Sequence, residues 1–215
     1  MTIQLTAFRW VPPFAQGYVR DLRIRWALEE AGLPYEVVLV DGEALASDHH
    51  RQWQPFGQVP AYRDGEVEMF ESGAIVLHIA AKSDALSPRD PAGAARVATW
   101  VLAALNSIEP HAQNLIELDD SGEAWAVDRR PQVRAKLDRR LEGLSVWLGE
   151  KDYLEGDAFT AGDLMMTAVL RELVDSGTLK AFPNLDAYRV RCEARPAFAR
   201  ALEGQMAAFR ANAPG

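Results

Sequence analysis

Residues 54–72 read QPFGQVPAYRDGEVEMFES, and this stretch decides the fold because it combines a β-hairpin with the start of a helix. Two short, mostly apolar segments flank Asp64-Gly65, a dipeptide typical of tight hairpin turns. Ser72 then opens an apolar run that continues to Ala81 and predicts a helix. The stretch therefore predicts two antiparallel strands followed directly by a helix.

The residues before the hairpin add a strand–helix–strand unit. Residues 3–8 alternate apolar and polar side chains and predict a strand, and the β-branched residues within 36–40 predict a second one. Between them, apolar residues recur at the spacing of an amphipathic helix: Ile24, Ala27, Leu28 and Ala31. Residues 41–54 are polar and irregular, and they predict no more than one helical turn. This order of elements over residues 1–81 is the layout of a thioredoxin-like domain.

The character of the chain changes after this domain. A proline-containing linker is predicted at residues 82–90, and helical periodicity continues through residues 91–215. Thr160 and Asp163 have the spacing of a helix-capping box before an apolar run. The predicted fold class is an α/β thioredoxin-like N-terminal domain, residues 1–81, plus an all-α C-terminal domain.

The composition narrows the function classes. The 215 residues are 48% hydrophobic, which is ordinary for a globular protein, and the net charge of −8 predicts no nucleic-acid partner. One cysteine, Cys192, excludes an intramolecular disulfide and a cysteine-rich metal site. His49-His50 lie in a polar segment that we predict to face solvent, and we expect no metal site. No apolar stretch approaches the roughly 18 residues of a membrane span, and no signal-peptide pattern appears, so we expect a soluble cytoplasmic protein without a membrane partner.

The first pattern that suggests chemistry is Val59-Pro60, at the start of a predicted strand. Proline has no N–H to donate, so its presence indicates a strand edge or a special turn. A cis bond between these residues would turn the Val59 backbone outward and leave its N–H and C=O free to pair with an extended ligand. An ordinary edge-strand proline is the alternative.

The second pattern is Glu71-Ser72, directly before the apolar helix. A helix N-terminus presents unpaired N–H groups and partial positive charge, which favour a carboxylate. Glu71 beside it could hold an ammonium, so the pair could recognise a zwitterionic α-amino-acid head group. The alternative is a capping serine with an acidic neighbour.

Taken together, these motifs resemble cytosolic glutathione S-transferases of the bacterial type. The resemblance extends over essentially the whole chain through five segments in order: WALEEAGLPY at 26–35, QPFGQVP at 54–60, ESGAI at 71–75, FTAGD at 159–163, and PNL at 183–185 with RPAF at 195–198. It implies that the N-terminal domain binds glutathione as a co-substrate, with no further cofactor. It also implies that the helical domain supplies most of the second substrate's pocket, and that the protein is a homodimer with each site close to the partner subunit.

The resemblance assigns a role to each residue of the two patterns. Val59, preceding a cis Pro60, would pair with the cysteinyl backbone of glutathione. Glu71 and Ser72 would hold its γ-glutamyl head. Gln58 stands at a position where the family has a polar residue beside that peptide.

The catalytic position follows from the same resemblance. Family members lower the pKa of the glutathione thiol with a hydroxyl or cysteine near the first helix, because the thiolate is the nucleophile. Counting back from residues 24–28 places Tyr18 at that position. The preceding loop, residues 9–17, is longer than usual and contains no Ser, Thr or Cys, which excludes a cysteine-based, glutaredoxin-like transfer. Gln16, Arg20 or a backbone N–H are alternatives to Tyr18.

The predicted function is that of a glutathione transferase whose activated thiol attacks a hydrophobic electrophile, as in detoxification. Trp10, Phe14 and Trp53 are candidates for an apolar surface near the thiol. The alternative is that they make contacts in the core or at the dimer interface. Asn106 either points at the second substrate or pairs two helices. A non-catalytic glutathione-binding or scaffold protein of the same fold is the alternative, and the specific reaction is left open.

Overall fold

The computed structural model describes residues 2–214, which form two compact units. The first unit contains the residues up to Arg89 together with those from Ala194 onward, and the second contains Asp90–Glu193. The chain therefore leaves the first unit once and returns to it near its C-terminus.

A four-stranded sheet forms the centre of the first unit. Its strands are β1 (Ile3–Phe8), β2 (Tyr35–Val40), β3 (Ala61–Asp64) and β4 (Val67–Phe70). The strand order is β2-β1-β3-β4, with β1 and β2 parallel and β3 antiparallel to both β1 and β4. The thioredoxin-like prediction is confirmed.

The hairpin forms where Asp64-Gly65 predicts it, with its turn shifted by one residue. Asp64 pairs with Val67, so Gly65 and Glu66 make the two-residue turn. Gly65 has a φ of +64° at the first turn position, where a positive φ favours glycine.

The helices that follow these strands are α1 (Asp21–Ala31), α2 (Gly42–Ala46), α3 (Asp48–Trp53) and α4 (Ser72–Ala80). Helix α1 is buried along most of its length and ends at Gly32, which adopts the left-handed conformation that closes many helices. The prediction of at most one helical turn in residues 41–54 is wrong, because α2 and α3 both form there. Asp41 and Ser47 cap the two short helices, and their side-chain oxygens accept N–H groups of the first turns.

The second unit is helical. It contains α5 (Pro91–Ala103), a five-residue π-helical segment (Ala104–Ile108), α6 (Glu109–Asp120), α7 (Ala124–Leu148), α8 (Ala161–Arg171) and α9 (Pro183–Glu193). Asp90 caps α5, and Thr160 with Asp163 forms the predicted capping box at the start of α8.

The last helix, α10 (Pro196–Ala211), belongs to the first unit, whereas the sequence assigned all of residues 91–215 to the helical domain. It packs along α1. Trp26 and Phe198 meet edge to face at 4.8 Å between ring centroids, and Arg195 donates two hydrogen bonds to the Glu30 carboxylate. An amphipathic pattern shows that a helix packs on something, but it does not identify the partner.

None of the helices described within residues 2–214 is both long and apolar enough to cross a membrane.

Candidate functional site

The Val59–Pro60 peptide bond is cis, as the first sequence pattern allowed. Both residues are buried and directly precede β3. Within residues 2–214, no hydrogen bond engages the N–H or C=O of Val59. These two groups are therefore available to an extended peptide that lies alongside the strand.

The segment in front of this bond is held by two buried side chains that sequence reasoning missed. His50 Nε2 lies 2.9 Å from the Gln58 carbonyl oxygen. Gln54 Oε1 accepts the N–H groups of Phe56 and Gln58 at 2.7 and 3.2 Å. The prediction that His50 faces solvent is wrong, because it lies on the inner side of α3 with only 4% of its surface exposed.

A glycine is required in the same turn. Gly57 has a φ of +64°, and a Cβ there would lie 3.2 Å from the Leu45 carbonyl oxygen. Together with His50 and Gln54, it fixes the path of residues 55–58. Gln58 is exposed at the end of this path, beside Val59.

Glu71 is the only non-glycine residue with a positive φ among residues 2–214, at +69°. This conformation is rare for an L-residue and turns the chain sharply from β4 into α4. Ser72 is the first residue of α4 and is buried, while Glu71 is exposed at the preceding position. The alternative of a capping serine is wrong, since Glu71 occupies the N-cap without a side-chain capping bond.

The first turn of α4 is suited to a negatively charged group. It carries no acidic side chain, and the N-cap side chain does not satisfy its N–H groups. The helix dipole adds partial positive charge at the same point. Ser72 supplies a hydroxyl donor there, so a carboxylate would be stabilised.

The hairpin register brings the two patterns together. Ala61 of β3 pairs with Phe70 of β4. Pro60 and Glu71, the next residues outward, therefore lie at the same end of the hairpin. The backbone of Val59 and the first turn of α4 thus both follow from this end of the hairpin in the first unit.

Tyr18 lies at the end of the long loop, three residues before α1 begins, and is 36% exposed. Its N–H donates to the Ala15 carbonyl at 3.1 Å. Of the alternatives, Gln16 donates through Nε2 to the Val11 carbonyl at 3.0 Å, and Arg20 is exposed at the N-cap of α1. The assignment of thiol activation to Tyr18 stays a prediction.

The residues assigned to the second substrate have different environments. Phe14 is 84% exposed, so a core role for it is excluded, whereas Trp10 is half-buried. Trp53 is occupied within the first unit, where its Nε1 donates to the Tyr62 carbonyl and the Arg63 guanidinium lies 4.8 Å from its ring centroid. Asn106 is exposed within the π-helical segment, a local distortion often found at functional sites. Their contact with an electrophile stays a prediction.

Within residues 2–214, no cluster of three or more His, Cys, Asp or Glu side chains is arranged to hold a metal ion.

Comparisons with known proteins show the family of this chain. The sequence model described as "Glutathione S-transferase, N-terminal domain" matches residues 13–81, and the one described as "Glutathione S-transferase, C-terminal domain" matches residues 107–196. These two segments make up well over half of the chain. The protein belongs to the glutathione S-transferase family.

Individual relatives extend over most of the chain. Glutathione S-transferase APIC of Nicotiana tabacum is 31% identical over 203 residues, covering 85% of this chain and 92% of the tobacco protein. Glutathione S-transferase F11 of Arabidopsis thaliana is 31% identical over 196 residues, covering 84% of this chain and 91% of that protein. A solved structure of a glutathione transferase from Burkholderia graminis, with two glutathione molecules bound per protein subunit, has a TM-score of 0.81 at 25% identity. The match covers 94% of this chain and 88% of the Burkholderia graminis chain.

Proposed function

We propose that this protein is a glutathione transferase that binds glutathione in its first unit and activates the thiol for attack on a hydrophobic electrophile. The observation that carries the proposal is the arrangement of the cis Val59–Pro60 bond and Glu71-Ser72 at one end of the β3–β4 hairpin. Glutathione offers a matching set of groups: a peptide backbone at its cysteine, and a zwitterionic amino-acid head.

The binding assignments follow from the chemistry of these groups. The N–H and C=O of Val59 pair with the cysteinyl backbone, and Gln58 lies beside that peptide. The first turn of α4, with Ser72, binds the α-carboxylate, and the exposed Glu71 carboxylate binds the ammonium. Each charged end of the head group therefore meets a partner of opposite sign.

Thiol activation precedes the reaction. The bound thiol loses its proton to solvent, and the Tyr18 hydroxyl stabilises the resulting thiolate by donating a hydrogen bond to sulfur. The thiolate then forms a bond to an electrophilic carbon, and any displaced group leaves with the electron pair of its former bond. Holding the two reactants next to each other lowers the barrier by proximity.

Replacing Tyr18 with phenylalanine tests the activating role. A hydrogen bond to a charged group is worth about 1.5–3 kcal/mol, and partial exposure of Tyr18 places this one near the lower end. We expect kcat to fall about tenfold and the pKa of the bound glutathione thiol to rise by about one unit, with the Kd for glutathione nearly unchanged. Ultraviolet titration of the thiolate measures the thiol pKa, and initial-rate assays with a hydrophobic electrophile measure kcat. Calorimetry measures the Kd for glutathione.

Tyr153→Phe is the matched control, since Tyr153 lies in the second unit, against Phe159. It should change none of the three quantities. If the thiol of glutathione bound to the unaltered protein titrates like that of free glutathione, the protein does not activate it. In that case the transferase proposal is wrong.

We also propose that the protein is a cytoplasmic homodimer acting in detoxification. Support for the dimer comes from Phe56, which is 66% exposed on the turn before β3, in edge-to-face contact with Phe70 at 5.8 Å. An aromatic ring held outward in this way is a typical interface anchor.

Sedimentation velocity tests the dimer. We expect a species of twice the 23.8 kDa chain mass, and Phe56→Asp should convert it to monomer because the charge would be buried at the interface. Val146→Asp, at a valine that is 83% exposed on α7, is the control and should leave the mass unchanged. A monomeric unaltered protein at micromolar concentration would contradict the proposal.

A further inference from the structure

Gln205 on α10 reaches the loop that carries Tyr18. The side chain is 1% exposed, and both ends of its amide are hydrogen-bonded. Its Oε1 accepts the Gly17 N–H at 3.2 Å, and its Nε2 donates to the Val19 carbonyl at 3.2 Å. One side chain from the end of the chain therefore binds the residues immediately before and after Tyr18.

The orientation of this amide is set by a buried carboxylate. Nε2 also donates to Asp21 Oδ1 at 2.7 Å, while Asp21 Oδ2 accepts from Arg25 Nε at 2.7 Å. A flipped amide would place Oε1 against the carboxylate, where two acceptors repel each other. Asp21 thus directs the nitrogen of Gln205 to Val19 and its oxygen to Gly17.

The backbone of Gly17, directly before Tyr18, lies in a conformation that favours glycine. Gly17 has a φ of +83°, a conformation that glycine adopts without penalty but that does not by itself select one loop geometry. The loop contains only one short 3-10 turn, Pro13–Ala15. The amide of Gln205 adds to the hydrogen bonds within the loop, because two bonds from one buried amide plane limit rotation about the backbone of Tyr18.

We propose that Gln205 is a positioning residue for the reaction: it fixes the Gly17–Val19 backbone so that the Tyr18 hydroxyl meets the sulfur of bound glutathione. This inference rests on the proposed function, since it takes Tyr18 as the thiol-activating group. Gln205 thereby gives α10 a role in positioning the thiol-activating group of the first unit. Gln205 itself touches neither substrate.

The test replaces Gln205 with methionine, which has a similar length and shape but cannot form the three hydrogen bonds. We expect the pKa of the bound glutathione thiol to rise and kcat to fall about tenfold, as in Tyr18→Phe, with the Kd for glutathione changed less than roughly threefold. Hydrogen exchange of the peptide spanning residues 10–20 should become faster. Gln205→Asn, which keeps an amide but is one methylene shorter, replaces the methionine variant if that protein does not fold.

A double variant separates positioning from a general loss of structure. If Gln205 acts through Tyr18, adding Gln205→Met to Tyr18→Phe should lower kcat no further. Arg195→Gln is the control, because it weakens α10 at its other end, at the contact with Glu30. It should lower stability without moving the thiol pKa.

The outcomes distinguish this inference from the function on which it rests. If Tyr18→Phe shifts the thiol pKa and the Gln205 variants do not, the inference alone is overturned. If the effects of the two substitutions on kcat multiply in the double variant, Gln205 does not act through Tyr18 and the inference is also overturned. If Tyr18→Phe itself has no effect, the activating role of Tyr18 fails, and the positioning role falls with it.

Discussion

Replacing Ser72 with alanine is expected to raise the Kd for glutathione about 100-fold, the largest change in binding that a single hydroxyl of this site should produce. Ser72 is 5% exposed at the first position of α4, where a ligand carboxylate would be held away from water. A hydrogen bond to a charge is stronger there than at an exposed site. Calorimetric titration of both proteins with glutathione measures the change.

The analogue 4-aminobutyryl-cysteinylglycine, which lacks the α-carboxylate of the head group, sharpens this test. It should bind the unaltered protein and Ser72→Ala with nearly equal affinity, since the group that Ser72 binds is absent. Ser83→Ala, just beyond the other end of α4, is the matched control and should leave the glutathione Kd unchanged. Equal Kd values for glutathione with and without the Ser72 hydroxyl would place the head group elsewhere.

Asp163→Ala should lower the free energy of unfolding by about 3–5 kcal/mol, the largest effect on stability that we expect from one substitution. The Asp163 side chain is fully buried and accepts hydrogen bonds of 2.8–2.9 Å from four donors. These are the N–H groups of Leu154 and Thr160 and the hydroxyls of Thr160 and Tyr188. Alanine would remove this carboxylate acceptor from all four buried donors.

Electrostatics at this site agree with a donor role for Tyr188. Burial, together with the nearby Asp163 carboxylate, raises the pKa of the Tyr188 hydroxyl well above its usual value, so it keeps its proton. Burial also raises the pKa of Asp163. The hydrogen bonds from its four donors favour the charged form and act in the opposite direction on this pKa. The site therefore contains one acceptor group surrounded by donors.

Urea unfolding measures the loss, and Asp157→Ala in the neighbouring loop is the control because Asp157 is exposed. That variant should change stability by less than about 0.5 kcal/mol. An Asp163→Ala protein as stable as the unaltered one would show that α8 does not depend on this capping box.

Local patterns in the sequence predicted most of the first unit. Asp64-Gly65 located the hairpin, and the switch from alternating to helical spacing located α1, because both signals depend on near neighbours in the chain. The same reasoning failed in residues 41–54. Two short helices form there because Asp41 and Ser47 cap them, although neither helix has an apolar stripe that a reader of the sequence would see.

The candidate site was predicted in part, for a related reason. Val59-Pro60 and Glu71-Ser72 were found because each is a short motif, but the support behind them comes from residues distant in the fold. His50 reaches the Gln58 carbonyl from α3, and Gln205 reaches Gly17 from a point 188 residues along the chain. No local pattern marks such contacts.

The return of α10 to the first unit has a consequence for how the protein is synthesised. During translation, α1 emerges early, but the helix that covers it emerges only after the whole second unit. Until then the α1 surface that meets Phe198, including Trp26, lacks its native cover. We therefore expect chaperones that bind apolar surfaces to recognise the nascent first unit, and ribosomes stalled before residue 196 should hold it in a protease-sensitive form.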